Sequence, residues 1–94
     1  MPALHIRRAH RLEVEDLQTR VDQLAQKLVG SYGGDYRWQG DRVRYHRSGG
    51  IDAEIHCGVD ELRIEVTLGS LARLLSGTIE RELNEALDRY LQPS

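Results

Sequence analysis

Apolar and polar positions along the chain change period three times. Residues 3 to 8, ALHIRR, alternate weakly, with Leu4 and Ile6 on one side, and predict a short strand ending by about His10. From Glu13 the period lengthens. Val14, Leu17, Val21, Leu24 and Leu28 recur at three and four, one stripe of a helix. Glu13, Glu15 and Asp16 fall in its first turn and Lys27 in its last, as the helix dipole favours, and Gly30 is the expected stop.

Strict alternation then takes over. Tyr36 and Trp38 share a side with Val43 and Tyr45 across QGDR, a two-residue hairpin loop of type II′ with Gly40 first. That register sets Trp38 opposite Val43 and Tyr36 opposite Tyr45. Turns at SGG and GVDE lead into two more strands, which carry Ile51, Ala53, Ile55 and Cys57, then Leu62, Ile64, Val66 and Leu68, on the same face. After Gly69 the pattern is helical again. Ile79, Leu83, Ala86, Leu87, Tyr90 and Leu91 form a broad stripe, and Gly77 marks a break from the short segment before it. The order is β-α-β-β-β-β-α. The expected fold is two-layer α+β: an antiparallel meander with both helices on one face, the first strand either antiparallel to the last or at the opposite edge.

Length and composition fit one α+β domain over residues 1–94, frayed at 92–94. Without Phe and with one Trp, the core must be mainly aliphatic. A net charge of −2 argues against whole-surface attraction to nucleic acid or anionic lipid. Cys57, the single cysteine, cannot form an internal disulfide and suits a reducing compartment. The N-terminus lacks the apolar core of a signal peptide, and no apolar run reaches the ~20 residues of a membrane span. The expectation is a cytoplasmic protein.

The candidate chemistry dissolves under the register. His46 is expected opposite Asp52 and His56 opposite Arg42, about 13 Å apart at ~3.3 Å per strand residue, too far to share one zinc ion. Ser48 beside His46 and Asp52 sits at an open turn without oxyanion donors. No metal, cofactor or catalytic set is expected, and the protein is read as a non-enzyme. Arg37, Arg42, Arg44, Arg47 and Arg63 could line an outer surface, but Asp52, Glu54 and Glu65 share it. Trp38 and Tyr45 point away from it, so nucleic acid is not the expected partner. Leu71, Leu74 and Leu75 exceed what so small a core can cover. They form either a cap on one end of the sheet or an interaction patch, and a homodimer would cover such a patch.

Three stretches resemble a known family: HIRRAHRL, YGGDYRWQGDRVRYHRSGGID and VTLGSLARLLSGTIERELNEALDRYL. They are similar to the small polyhydroxyalkanoic acid system proteins of bacteria. The most specific parts are His10–Xaa–Leu12, Arg37–Trp38–Xaa–Gly40–Asp41, Gly50–Ile51–Asp52 and Leu68–Gly69. Arg11 departs from the pattern, standing where a small helix-capping residue is expected. The resemblance implies a bacterial cytosolic protein at polyhydroxyalkanoate storage granules and carries no catalytic residues with it. The leading expectation is surface binding to the polymer, its synthase or another granule protein through Leu71, Leu74 and Leu75. The alternative is a small acyl-binding protein with a pocket between sheet and C-terminal helix, lined by Trp38, Tyr45, Ile64 and Leu83.

Overall fold

The computed structural model describes residues 4–70 and 72–91. The expected frayed end, 92–94, and Leu71 lie outside the described residues. The elements are β1 (Leu4–Ala9), α1 (Val14–Tyr32), β2 (Asp35–Gln39), β3 (Arg42–Arg47), β4 (Ile51–Cys57), β5 (Glu61–Leu68), a 3-10 turn (Ala72–Leu75) and α2 (Ser76–Tyr90). The five strands form one antiparallel sheet in the order β1-β5-β4-β3-β2. The α+β class and the element order match the pattern of the sequence, and of the two edges open to the first strand it takes the one beside β5.

Side-chain alternation decides the layers. Leu4 and Ile6 of β1, Val43 and Tyr45 of β3, Ile51, Ala53, Ile55 and Cys57 of β4, and Leu62, Ile64, Val66 and Leu68 of β5 are buried on one face. They pack with Leu17, Val21, Leu24, Ala25 and Leu28 of α1 and Ile79, Leu83, Ala86 and Leu87 of α2 in one core. The polar positions between them are left on the opposite face, as one-sided burial of an antiparallel sheet requires. At the hairpin, φ is +63° at Gly40, and among the described residues no non-glycine has positive φ, the signature of a type II′ turn.

The first helix departs from expectation at both ends. It runs through Gly30 to Tyr32, and Gly33 closes its last turn by donating its N–H to the Val29 carbonyl at 2.8 Å. Val29 and Tyr32 pack against the core, so their burial outweighs the ~1 kcal/mol that an internal glycine costs. Lys27 therefore lies before the last turn, which holds no basic residue. Val14 is 50% exposed; the buried stripe begins at Leu17. Gly77 is the second residue of α2, and the break falls just before it, where the 3-10 turn meets Ser76.

Polar ties fasten the ends of elements. Arg8 has the parity of Leu4 and Ile6, yet its guanidinium reaches out to α2, bonding Asp88 Oδ1 at 2.6 Å and Asn84 Oδ1 at 2.9 Å. Arg20 of α1 donates to the Tyr90 carbonyl at 2.9 Å, satisfying one of the orphan acceptors at the end of α2. The Tyr32 hydroxyl donates to Glu82, and burial, with Glu82 adding to it, pushes the phenol up to about 12.

Candidate functional site

The motif residues turn out to be fasteners. His10 is buried at the end of β1. Its Nε2 lies 2.8 Å from the Gly58 carbonyl, and its Nδ1 accepts the Leu12 N–H at 3.2 Å. A carbonyl cannot donate, so Nε2 carries the proton and Nδ1 the lone pair. The His10 N–H also bonds the Asp60 carbonyl at 3.0 Å. One imidazole thus joins the end of β1, the approach to α1 and the β4–β5 turn. Gly50 and Gly69 perform the matching task at the other end of β4 and β5. The Gly69 N–H donates to the Gly50 carbonyl at 2.7 Å. Gly50 has φ of +97°, and a methyl group there would lie 3.0 Å from the Gly69 backbone.

Trp38 and Tyr36 face the helices, as the alternation requires, and find a common acceptor the sequence did not disclose. Asp22 of α1 accepts from Tyr36 Oη at 2.9 Å and Trp38 Nε1 at 3.0 Å through Oδ1, and from Gln26 Nε2 at 2.7 Å through Oδ2. The Trp38 bond above all holds the Asp22 carboxyl below its usual range. The available signal was an aspartate inside a helix, a poor helix former beside an apolar stripe. Tyr45 is buried, donates to the Gly33 carbonyl, and has its phenol raised by burial.

Tyr45, Ile64 and Leu83 meet at one apolar void between sheet and α2, with Tyr32 and Ile79 among its walls. Trp38 does not line it; it stands at the β2 edge against Asp22. The void measures about 10 Å³, at most one water molecule. An acyl chain could enter only after the helices moved off the sheet.

On the open face the pairing puts His46 opposite Asp52 and His56 opposite Arg42, in the expected register. His46 Nδ1 donates to Asp52 Oδ1 at 2.6 Å, with both side chains largely exposed. Glu54 draws Arg42 and His56 to 3.4 Å and Arg44 to 4.0 Å. Arg47 is not part of this face. It pairs with Ile51 and has the parity of Val43 and Tyr45, so it belongs to the helix side at the end of its strand. Ser48 falls in the β3–β4 turn. Cys57 is buried, and burial pushes its thiol up to about 11, a poor nucleophile.

The 3-10 turn carries the most exposed leucine described. Leu74 is 86% exposed and Leu75 37%, while Ala72 beside them is buried. The turn is anchored by Ala72 and by the Arg73 N–H, which donates to the Gly69 carbonyl at 3.0 Å. Leu74 thus stands outward, with Leu75 partly exposed beside it.

Residues 4–91 match the protein family described as "Putative polyhydroxyalkanoic acid system protein". The chain belongs to that family. Neither the curated proteins nor the solved structures contain a match to it. Of the residues that carry the resemblance, His10, Gly50 and Gly69 have structural work, and Trp38 of the hairpin bonds Asp22 of α1. No helix among the described residues is long and apolar enough to cross a membrane.

Proposed function

We propose that this protein acts without catalysis, by binding the surface of polyhydroxyalkanoate granules through the exposed leucines of the 3-10 turn. The observation that carries the reading is Leu74, 86% exposed on a turn anchored in the core, in a chain of this family. Leu75 adjoins it, and Leu71 is assigned to the same patch by the sequence. The polymer is a polyester, whose methylene-rich surface offers such side chains a place to leave water. Full burial of one leucine contributes about 1.5–3 kcal/mol, roughly ten- to hundredfold in affinity. The granule, in the cytoplasm, is the proposed location; the synthase and other granule proteins are the competing partners for the same patch.

Purified granules and labelled protein test it. Leu74→Asp with Leu75→Asp is expected to leave the circular dichroism spectrum unchanged and to move the protein from the granule pellet to the supernatant. A folded double variant that pellets like wild type would refute the reading. Binding to protein-free polymer particles separates direct contact from contact through another granule protein.

A further inference from the structure

The open face of the sheet carries a charge order that one molecule leaves unsatisfied. Read across the strands at one level, the register gives His5, Glu65, Glu54, Arg44 and Arg37. Glu65 and Glu54 are direct cross-strand neighbours, and so are Arg44 and Arg37. Like charges placed this way work against the sheet. Glu54 is relieved by Arg42, Arg44 and His56. Among the described residues, the side chains of Glu65 and Arg37 make no ion pair or hydrogen bond. Both line the broad open depression, about 690 Å³, at the centre of this face.

The order negative, negative, positive, positive reverses sign at the boundary between β4 and β3. A two-fold axis lying above that boundary and parallel to the strands therefore sets Glu54 over Arg44 of a second copy and Glu65 over its Arg37. The neighbouring row reads Thr67, Asp52, His46, Asp35. The same operation sets Asp52 over His46 and Thr67 over Asp35. In the third row Arg63 meets Gln39 and the His56 imidazole meets Arg42. No two formal like charges are opposed. We propose that the open sheet face is a self-association surface, on which two copies pair face to face about this axis through Glu54–Arg44 and Glu65–Arg37 bridges.

The geometry fits known sheet packing. An axis along the strands leaves the two sheets aligned, the commoner of the two face-to-face arrangements. Five strands at ~4.8 Å spacing, each offering three outward residues, present roughly 500 Å² per copy. A total near 1,000 Å² lies at the small end of specific interfaces, so the dimer forms reversibly and depends on salt. A linear polyanion is a poorer occupant. Arg7, Arg37, Arg42, Arg44 and Arg63 are balanced on the face by Asp35, Asp52, Glu54, Glu61 and Glu65. The pairing uses no residue of the 3-10 turn, so it stands or falls separately from granule binding.

Sedimentation velocity of the full chain, from micromolar to millimolar protein at low and high salt, tests the proposal together with two charge-reversed variants. Wild type is expected to dimerise at low salt and to weaken at least roughly tenfold at high salt. Arg37→Glu with Arg44→Glu, and Glu54→Arg with Glu65→Arg, should each remain monomeric, and an equimolar mixture of the two should form a heterodimer. If either double variant fails to fold, Arg37→Gln and Glu65→Gln replace it and are expected to weaken the dimer. A wild type that stays monomeric at millimolar protein and low salt overturns the proposal. So does a dimer that survives charge reversal, or a mixture of complementary folded variants that does not associate.

Discussion

Replacing His10 measures how much one buried imidazole contributes to closing this sheet. In His10→Ala the Gly58 carbonyl loses its donor and the Leu12 N–H loses its acceptor. Each such group, left unpaired where water has poor access, costs about 1–3 kcal/mol. Both sites are only partly buried, so the low end applies to each, and the volume vacated by the ring adds about 1 kcal/mol more. The sum is about 2–4 kcal/mol, from a domain whose whole stability is on the order of 5–14 kcal/mol. At 4–8 °C per kcal/mol, the melting temperature falls by roughly 8–32 °C. Two isosteres divide the loss. Asn places an oxygen near the Nδ1 position and keeps the Leu12 bond; Gln places an amide nitrogen near the Nε2 position and keeps the Gly58 bond. Each is expected to lose about half of what Ala loses, by urea denaturation followed through Trp38 fluorescence. If His10→Ala unfolds within about 0.5 kcal/mol of wild type, the ring is not a fastener and the reasoning fails.

Three further outcomes follow from the same geometry. Gly50→Ala combines a positive φ with a methyl group 3.0 Å from the Gly69 backbone, so a loss of at least about 2 kcal/mol is expected in the same denaturation assay. Asp22→Ala removes the shared acceptor of Tyr36 and Trp38, which should cost about 1–2 kcal/mol and shift the Trp38 emission maximum. Tyr32 is raised from 10.0 to about 12, so the folded state holds its proton more tightly than the unfolded. That contribution is complete below pH 10 and disappears as the pH rises toward 12; Tyr32→Phe should flatten the loss of stability across this window in alkaline melts.

What the sequence disclosed and what it hid divide along physical lines. Period-two alternation is a local property of the chain, so Leu62 to Leu68, the Trp38–Val43 and Tyr36–Tyr45 pairs and the His46–Asp52 pair could all be placed from it. The hairpin turn followed from glycine chemistry at position 40. The errors arose where distant contacts decide. Gly30 looked like a stop because nothing local shows that Val29 and Tyr32 find partners across the core. Arg47 looked like an outer-face cation because strand parity was not carried to the end of β3. His10 and Asp22 act through partners 48 and 14–16 residues away, which no periodicity encodes. The leucines around position 74 were legible as surplus apolar area, and the structure shows Leu74 and Leu75 exposed.

The position of β1 governs how the chain assembles. Strands β2 to β5 succeed one another in space as in sequence, so their pairing closes only short loops and can proceed by zipping from the hairpins. β1 belongs beside β5, and its side chains meet partners more than fifty residues away, as Arg7 meets Glu61. Closing so large a loop carries the greatest entropic cost in the topology, and it brings α1 down onto the same layer. Until that happens the newly made β5 is a bare ladder of donors and acceptors, open to a stray strand from another nascent chain. β1, Leu4–Ala9, thus acts as an intramolecular guard against misassembly, and deleting it would expose a sticky intermediate before it cost much secondary structure.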